Sequence, residues 1–426
     1  MFTAKKFAAI AAVGTLALTL GACSSGGDGG GGEAGGPATE NVEARGPITY
    51  VQGKDNSNVV GPLVEKWNAE HPDEKVTFKE LTDEADQQHD DMVQNLQAKN
   101  ENYDVMSVDV IWTAEFAAKG WLQPLDKLGF DTSAMIPATV DSGTYNDVLY
   151  AAPVSSDGGI LYYRSDLVPK PPATWAEMTD MCSIAVENDI ACYAGQFAKY
   201  EGLTVNTAEA INSAGGTIID GNGKPTLNTP EAKAGLQNLV DAYNDGTIPK
   251  EGITYTEEEG RAAFQDGKLL FLRNWPYVYN LAKSDGASKV KDTFAMAPLP
   301  GADGPGASTL GGHNAAISVY SKAKATAADF LAFLTSEEQQ KQFGIQGSLA
   351  PVLTAMYDDA ELVKQLPYLT VLKTSIENAV PRPVTPFYPA VTKAIQENAY
   401  AAIKGEKSVD DALSDMQKSI ESAGAN

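Results

Sequence analysis

The clearest constraint on the fold is an alternation of strand-like and helix-like stretches near the start of the chain. Residues 48–52, 76–81 and 105–108 have the short apolar runs that are typical of buried strands. Between them, apolar side chains recur at helical spacing in residues 60–67 and 92–96. Strand, helix, strand, helix and strand with short connections predict a parallel sheet covered by helices, and therefore an α/β fold.

Polar residues follow two of these predicted strands. The loop of residues 53–58 follows the first strand, and Asp109 follows the third. Ligands bind sheets of this kind beyond the carboxyl ends of the strands, so we expect the loop and Asp109 at the rim of a cleft. The alternative for Asp109 is that its carboxylate caps the helix that follows.

The first residues have the pattern of an export signal. Lys5 and Lys6 precede an apolar run over residues 7–20, which is shorter than the roughly 20 residues that a membrane span needs. Residues 20–23, Leu-Gly-Ala-Cys, end this run and resemble the lipobox of bacterial lipoproteins. We therefore predict a signal peptide over residues 1–22.

In a lipobox the cysteine is lipidated and becomes the new N-terminus, which predicts that Cys23 anchors the protein to the outer face of the cell membrane. Residues 24–36 are rich in Gly and Ser, a composition that behaves as a flexible coil. We expect a tether over residues 23–46. The alternative is a secreted protein with a chance cysteine at this place.

The remaining cysteines are Cys182 and Cys192. In an exported protein such a nearby pair predicts a disulfide that closes a short loop. With three histidines and no Cys/His cluster, we expect no zinc site. The formal net charge of −24 makes nucleic acid and other polyanions poor partners.

After the tether about 380 residues remain, too many for one ordinary core and enough for two domains. Residues 153–159 become small and polar between two strand-like runs, and we interpret them as a first crossing between domains. The Pro- and Gly-rich residues 298–306 predict a return crossing, after which residues 315–319 predict a strand that rejoins the first sheet. From residue 359 the chain is predicted to be helical, apart from one interruption.

That interruption is the proline-rich segment of residues 381–389, which also carries two aromatic rings. A rigid loop of this composition between helices is unusual, so we treat it as shaped for a function. Arg382 and Tyr388 are its candidate ligand-binding residues. The alternative for Arg382 is an ion pair with a surface acid.

Residues 273–279 combine aromatic side chains with a predicted change of secondary structure. The apolar run 269–272 predicts a buried strand, and Pro276 would occupy the favoured first position of a helix. Trp275 and Tyr277 lie at this junction, where their flat faces and polar edges suit a partly apolar, partly hydroxylated ligand. The alternative is that Trp275 is a core residue, as large aromatic residues mostly are.

Several segments of the chain are not specific for a family one by one, but their order and spacing together are. They are the lipobox, the first strand with its Gly53 loop, and residues 109–116, 158–164, 273–277, 311–312, 335–339 and 381–383. Together they resemble the extracellular solute-binding proteins of ATP-driven sugar importers, in the branch that handles maltose, trehalose and related α-glucosides.

This resemblance implies a two-lobe, periplasmic-binding-protein-like fold of type II, in which each lobe is a sheet flanked by helices and the ligand cleft lies between the lobes. We expect the first lobe to comprise residues 47–154 and 309–356, and the second lobe residues 155–308 and the helical residues 357–426. The family further implies a monomer that needs no cofactor and performs no catalysis.

The resemblance also implies a ligand site with contributions from both halves of the chain. The first half contributes Lys54, Asp55, Asn56, Asp109 and Asp157; the second contributes Glu257 or Glu258, Trp275, the backbone of Gly311 and Gly312, and Arg382. We add Tyr277, His313 and Tyr388 as further candidate ligand-binding residues. Relatives often carry an aromatic residue after the Gly-Gly pair, where this chain has His313. The imidazole either hydrogen-bonds a ligand hydroxyl or is structural.

These residue types suit a sugar, because aromatic faces cover its C–H surface while carboxylates and Arg bind its hydroxyls through charge-assisted hydrogen bonds. Residues 257–259 have a simpler interpretation as acids that favour a helix N-terminus. Tyr162 and Tyr163 alternate along a strand, so at most one of them faces the ligand.

The predicted function is capture of an α-glucoside disaccharide, trehalose or maltose, by closure of the lobes, followed by delivery to a membrane permease. A longer maltodextrin is also compatible with the sequence. The rival interpretations are an anchored glycosidase that uses the same carboxylates, and a binding protein for another solute such as an oligopeptide or a ferric chelate.

Overall fold

The computed structural model describes residues 42–220 and 223–424. The predicted signal peptide, the predicted lipidation site at Cys23 and residues 24–36 lie outside the described residues. At the end of the predicted tether, Arg45 pairs with Glu74 and Asp329. Among the described helices, none combines the length and the apolar character that crossing a membrane requires.

The chain alternates strands and helices over most of its described length. The strands are β1 (Ile48–Gln52), β2 (Val76–Glu80), β3 (Val105–Asp109), β4 (Thr144–Tyr145), β5 (Val148–Leu149), β6 (Ala151–Asp157), β7 (Ile160–Arg164), β8 (Ala191–Ala194), β9 (Leu269–Asn274), β10 (Phe294–Pro298), β11 (Ser308–Ile317) and β12 (Ala379–Pro381).

The helices cover the faces of the sheets. They are α1 (Val60–Glu70), α2 (Ala85–Gln97), α3 (Thr113–Ala118), α4 (Pro137–Ser142), α5 (Trp175–Asp180), α6 (Cys182–Glu187), α7 (Glu201–Ser213), α8 (Pro230–Asp245), α9 (Glu257–Gln265), α10 (Val278–Ser284), α11 (Lys324–Leu334), α12 (Glu337–Gly347), α13 (Ala360–Gln365), α14 (Tyr368–Glu377), α15 (Tyr388–Ile403) and α16 (Val409–Gly424).

The first sheet has the strand order β12-β11-β3-β1-β2. Strand β6 also pairs with β11, along the edge opposite β3. Strands β1, β2 and β3 are parallel, which confirms the prediction for the start of the chain. Strand β11 is longer than predicted, and it runs antiparallel to both β3 and β6. It begins at Ser308 rather than at residue 315, because its first residues form the connection from the second lobe.

The second sheet has the order β10-β7-β9-β8 and mixes antiparallel pairs with one parallel pair, β8 with β9. The chain passes from the first sheet to the second at Gly158 and Gly159, between β6 and β7. It returns between β10 and β11. Two sheets, each flanked by helices and joined by crossing segments, form the two-lobe α/β fold that the resemblance implied.

The C-terminal region differs from the predicted run of helices. Residues 379–381 form strand β12, which pairs in parallel with the first residues of β11. The strand was missed because its three residues include Pro381 and show no alternation. Helices α15 and α16 then pack against each other and against α8 of the second lobe.

The predicted helix start at Pro276 is wrong, because α10 begins at Val278. The N–H groups of Val278 and Tyr279 donate to the carbonyls of Trp275 and Pro276, at 3.3 and 2.9 Å, and these three-residue spacings are turns rather than α-helix. Trp275 therefore lies in a turn. Helix α5 begins directly after Thr174, which forms a capping box with Glu177.

The predicted disulfide is present. The sulfur atoms of Cys182, at the start of α6, and Cys192, in β8, are bonded at 1.97 Å and close a loop with a sequence separation of 10 residues.

Candidate functional site

A cavity of about 250 Å³ is lined by residues of both lobes. Its first-lobe wall comes from the loop after β1 and the ends of β3 and β6. Its second-lobe wall comes from the N-termini of α7 and α9 and the turn after β9. All the predicted site residues line this cavity except Tyr388: Lys54, Asp55, Asn56, Asp109, Asp157, Glu257, Glu258, Trp275, Tyr277, Gly311, Gly312, His313 and Arg382.

Trp275 is partly exposed to the cavity and held by the protein on several sides. The guanidinium carbon of Arg273 lies 3.9 Å from the centroid of the indole. The indole Nε1 donates to Oε1 of Glu257 at 3.4 Å. The carbonyl of Trp275 accepts a hydrogen bond from the hydroxyl of Tyr162 at 2.9 Å. The indole is thus a lining residue of fixed orientation rather than a fully buried core residue.

Gly311 is a glycine because the indole occupies the space of a side chain. A Cβ at Gly311 would lie 2.9 Å from Cζ3 and 3.0 Å from Cη2 of Trp275. Gly312 adopts a φ of +114°, and a Cβ there would lie 2.1 Å from the carbonyl oxygen of Ser155. The Gly-Gly pair therefore allows the backbone of β11 to approach both the indole and β6.

Two predicted site acids, Glu257 and Glu258, lie at the N-terminus of α9 and differ in their hydrogen-bond and ion-pair partners. Glu257 accepts from the hydroxyl of Tyr200 at 2.6 Å, and burial raises its pKa. Glu258 accepts from the hydroxyl of Tyr277 at 2.6 Å and forms an ion pair with Arg261 at 2.5 Å. Glu257 is therefore the acid without a cationic partner in direct contact among the described residues.

Arg382 is buried between acids of the two lobes. Its Nη1 donates to Oε1 of Glu201 at 2.7 Å, and its Nη2 donates to Oδ1 of Asp109 at 3.0 Å. Glu201 lies at the start of α7 in the second lobe, and Asp109 at the end of β3 in the first. Glu201 is buried and Asp109 is half-buried at the cavity, so neither is a surface acid and the predicted alternative of a surface ion pair does not apply.

Tyr388 is 1% exposed and lies behind the cavity wall. Its hydroxyl donates to Oε1 of Glu201 at 2.6 Å. The expectation that Tyr388 lines the site is therefore wrong. It begins α15, which packs on α7 and turns the ring toward the buried carboxylate.

Asp109 lines the cavity, and its carboxylate does not cap α3, because the N-cap of that helix is Trp112 and no side chain bonds to it. Its Oδ1 accepts from the backbone N–H of Ile111 at 3.2 Å as well as from Arg382. The carboxylate therefore shapes the turn that leads into α3 and also joins the ion-pair network at the cavity.

Asp157 and His313 lie on neighbouring strands at the cavity. Burial and the nearby charge of Asp109 raise the pKa of Asp157 to about 7. Burial lowers the pKa of His313, which favours the neutral imidazole near pH 7. In the register of β11, Gly311 is opposite Asp157 and His313 is opposite Asp109. One strand therefore brings these groups together.

The loop after β1 lines the first-lobe side of the cavity, and one of its side chains also bonds the backbone. The carboxylate of Asp55 accepts from the backbone N–H of Val60 at 2.7 Å, at the first residue of α1. Lys54 is exposed and Asn56 half-buried at the mouth of the cavity. Asp55 therefore stabilises the start of the helix in addition to lining the cavity.

Sequence reasoning missed several lining residues, of which Tyr200 and Glu201 are the most prominent. They immediately precede and begin α7, and an acid beside an aromatic ring at a helix start was the available signal. Trp112 was noted within a matching piece but not assigned to the site. Tyr162 and Tyr163 are both buried, and neither lines the cavity.

The charge of the lining is strongly acidic. Among the described lining residues the acids are Asp55, Asp83, Asp109, Asp157, Glu201, Glu257 and Glu258, and the Lys and Arg residues are Lys54 and Arg382. Because both carboxylates that contact Arg382 lie at the cavity, its charge is already matched. The site therefore disfavours anionic ligands and offers many acceptors for hydroxyl groups.

Several known proteins are similar to this chain. The model for the family described as bacterial extracellular solute-binding protein matches residues 52–341. A probable ABC transporter-binding protein of Deinococcus radiodurans is 34% identical over 342 residues, covering 76% of this chain and 80% of that protein. The mannitol-binding protein of Pseudomonas aeruginosa is 25% identical, with coverages of 84% and 88%.

Among solved structures, maltose-bound MalE3 of T. maritima superposes with a TM-score of 0.84 at 34% sequence identity. The match covers 88% of this chain and 99% of that chain. A solute-binding protein of Thermotoga lettingae bound to α-D-tagatose has the same fold, with a TM-score of 0.81 at 21% identity over 89% of this chain and 99% of that one.

Proposed function

The chain belongs to the bacterial extracellular solute-binding protein family of ABC transporters, whose members bind solutes without catalysis, and from this premise we propose that it captures an α-glucoside disaccharide, trehalose or maltose. The ligand binds between the lobes and passes to the membrane permease. Maltose is the ligand of a solved relative that is 34% identical to this chain, which supports this choice of sugar class.

The observation that carries the proposal is the arrangement of Trp275 and Glu257. The indole covers the C–H face of a glucose unit, while the adjacent carboxylate accepts hydrogen bonds from its hydroxyl groups. Glu257 already accepts from Tyr200 and Trp275, and a carboxylate has further acceptor sites. A ring face beside such an acid suits a pyranose better than it suits a peptide.

The first lobe binds the other side of the sugar. Asp157 has no hydrogen-bond partner for its carboxylate among the described residues, so its oxygen atoms are available to a ligand. His313, the backbone of Gly311 and Gly312, Lys54 and Asn56 supply further polar contacts. A sugar that lacks one of the required hydroxyl groups leaves a polar group unpaired, at a cost of about 1–3 kcal/mol.

Closure of the lobes follows from these contacts, because a ligand held by both walls binds the closed form more tightly than the open form. Arg382 favours the same state, since its guanidinium joins Asp109 of one lobe to Glu201 of the other. The permease then recognises the closed form. The lipidated Cys23 and the Gly/Ser-rich tether keep a monomeric body at the outer face of the membrane.

The decisive experiment is isothermal titration calorimetry of the purified protein with trehalose, maltose, maltotriose and mannitol. We expect one of the two disaccharides to bind with a Kd at least tenfold lower than that of mannitol. Tighter binding of mannitol would instead assign the site to a polyol, the ligand named for the Pseudomonas aeruginosa relative. Binding of none of the four would reject the proposed ligand class.

A further inference from the structure

A buried ion pair lies directly behind Trp275, outside the cavity. Arg273 is 1% exposed and donates from Nε and Nη2 to the two carboxylate oxygens of Glu209, at 2.7 and 2.5 Å. Its Nη1 donates to Oε1 of Gln196 at 2.9 Å. All three donor nitrogens are therefore engaged, which holds the planar guanidinium in one orientation.

The guanidinium also packs on the indole. Its central carbon lies 3.9 Å from the ring centroid of Trp275, within the range of a cation–π contact. Because Arg273 covers one face of the ring, the opposite face is the one that remains for a ligand. The ion pair thus sets the position of the surface on which the sugar is proposed to lie.

The same ion pair lies against two of the segments that connect the lobes, the one between β6 and β7 and the one between β10 and β11. Oε1 of Glu209 accepts from the backbone N–H of Thr309, in the first residues of β11, at 3.1 Å. At the other crossing, a Cβ on Gly159 would lie 2.7 Å from Oε1 of Glu209 and 3.0 Å from Nη2 of Arg273. The pair therefore lies against both of these segments, so a movement of either one would reach the carboxylate of Glu209 and, through it, the guanidinium.

We propose that Glu209 and Arg273 are positioning residues that hold the indole of Trp275 in its binding orientation and join that orientation to the two crossing segments. This inference rests on the proposed function where it concerns affinity. Neither side chain contacts the ligand, and removing the pair weakens binding because Trp275 becomes mobile.

The first test is a double-mutant cycle with the variant E209Q/R273M, which removes both charges together and so leaves neither one buried alone. Affinity for the tightest-binding sugar is measured by calorimetry with Trp275 present and in the Trp275→Ala background. We expect at least a fivefold loss of affinity with Trp275 and less than a twofold change without it. Equal losses in both backgrounds would overturn the proposal.

The second test needs no ligand and therefore separates this inference from the proposed function. Acrylamide quenching is measured for the unliganded protein, and the contribution of Trp275 is obtained by subtracting the Trp275→Phe protein in each background. We expect the quenching constant of Trp275 to rise about twofold in E209Q/R273M. An unchanged constant would contradict the positioning role even if sugars bind as proposed.

The matched control is R164M/D166N, which removes the Arg164–Asp166 ion pair of the second lobe, bonded at 2.6 Å and distant from Trp275 in the sheet. It should change neither readout. If E209Q/R273M does not fold, Arg273→Lys replaces it, because an ammonium keeps the charge but loses the planar contact with the ring. The same rise in quenching is then expected, and its absence would again reject the proposal.

Discussion

At the scale of single residues, the orientation of Trp275 depends on side chains and backbone that lie close to its indole. Its indole donates to the carboxylate of Glu257, packs on the guanidinium of Arg273, and would lie 2.9 Å from a Cβ added at Gly311. Each neighbour restricts one direction of movement, so the ring is ordered before any ligand binds. Order of this kind lowers the entropic cost of binding.

We expect Trp275→Ala to weaken binding of the preferred sugar by at least tenfold, because the variant removes the face that covers the ring of the sugar. Calorimetry measures the affinity, and circular dichroism checks that the fold is intact. Trp175→Ala serves as the control, since Trp175 lies outside this cavity. Unchanged affinity in Trp275→Ala would remove this residue from the site.

We expect Gly311→Ala to weaken sugar binding by roughly tenfold through the indole rather than through the fold. The added methyl would lie 2.9 Å from the ring, so Trp275 has to move. Gly286→Ala is the control, because no atom lies within 4 Å of the methyl it adds. Equal affinities of the two variants, measured by calorimetry, would contradict the close-approach explanation.

Asp157 makes the free energy of unfolding depend on pH, and the direction of this dependence follows from its pKa. Its pKa of about 7 lies above the ordinary value of about 3.9, so the folded protein binds this proton more tightly than the unfolded chain does. Its contribution to the free energy of unfolding is therefore fully present below about pH 4 and is lost as the pH rises to about 7.

The variant Asp157→Asn tests this sign. From about pH 5 to about pH 7, we expect its free energy of unfolding to fall less steeply than that of the original protein, by up to about 1 kcal/mol per pH unit. Urea denaturation at several pH values measures the difference. Asp303→Asn, which changes an exposed acid, should follow the original curve. Parallel curves for Asp157→Asn would show that the carboxyl is not perturbed.

At the scale of elements, β11 organises the site. It pairs with β3 and β6 in the first lobe and with β12 at its start, and it carries Gly311, Gly312 and His313. Its antiparallel register brings the ends of β3 and β6 together at the cavity. The site is therefore assembled by a strand whose first residues are part of a lobe connection.

The disulfide between α6 and β8 stabilises a local element without taking part in the site. Closing a loop of this length contributes about 2–3 kcal/mol by restricting the unfolded chain. We expect the variant C182S/C192S to lose this amount in urea denaturation while its sugar affinity changes less than twofold, since neither cysteine lines the cavity. Two alkylatable thiols in the non-reduced protein would show that the bond is absent.

At the scale of the whole molecule, charged and polar side chains form contacts between the two lobes. Arg382 contacts an acid of each lobe, and Gln396 of α15 donates to Asp86 of α2 at 3.2 Å. These contacts join the two lobes in the structure. Arg382, which the sequence assigned to the ligand, thus has two protein partners.

We expect Arg382→Gln to shift the unliganded protein toward an open form and to weaken sugar binding by about tenfold. Small-angle X-ray scattering should show a larger radius of gyration than for the original protein, and saturating sugar should reduce it. Arg45→Gln is the control, because Arg45 is about half exposed and pairs within the first lobe. An unchanged radius together with unchanged affinity would exclude the bridging role.

The sequence by itself determined the local elements and the chemical types at the site. Periodicity identified β1, α1, β2, α2 and β3 because each depends on neighbours within a few residues. The resemblance identified Trp275, Asp109 and the Gly-Gly pair from their order along the chain. These residues all line the cavity, so most of the candidate site was predictable.

The tertiary structure alone decided which side chains meet. Glu201 lies 181 residues from Arg382, and Glu209 lies 64 residues from Arg273, so neither pair leaves a periodic signal in the sequence. The short β12 and the turn at Pro276 were not predicted for the same reason. Strand β12 is held by pairing with β11, and the turn by hydrogen bonds from the hydroxyl of Tyr162 to the carbonyls of Trp275 and Pro276. A contact between distant residues depends on the packing of the lobes and the course of β11, which local preferences do not encode.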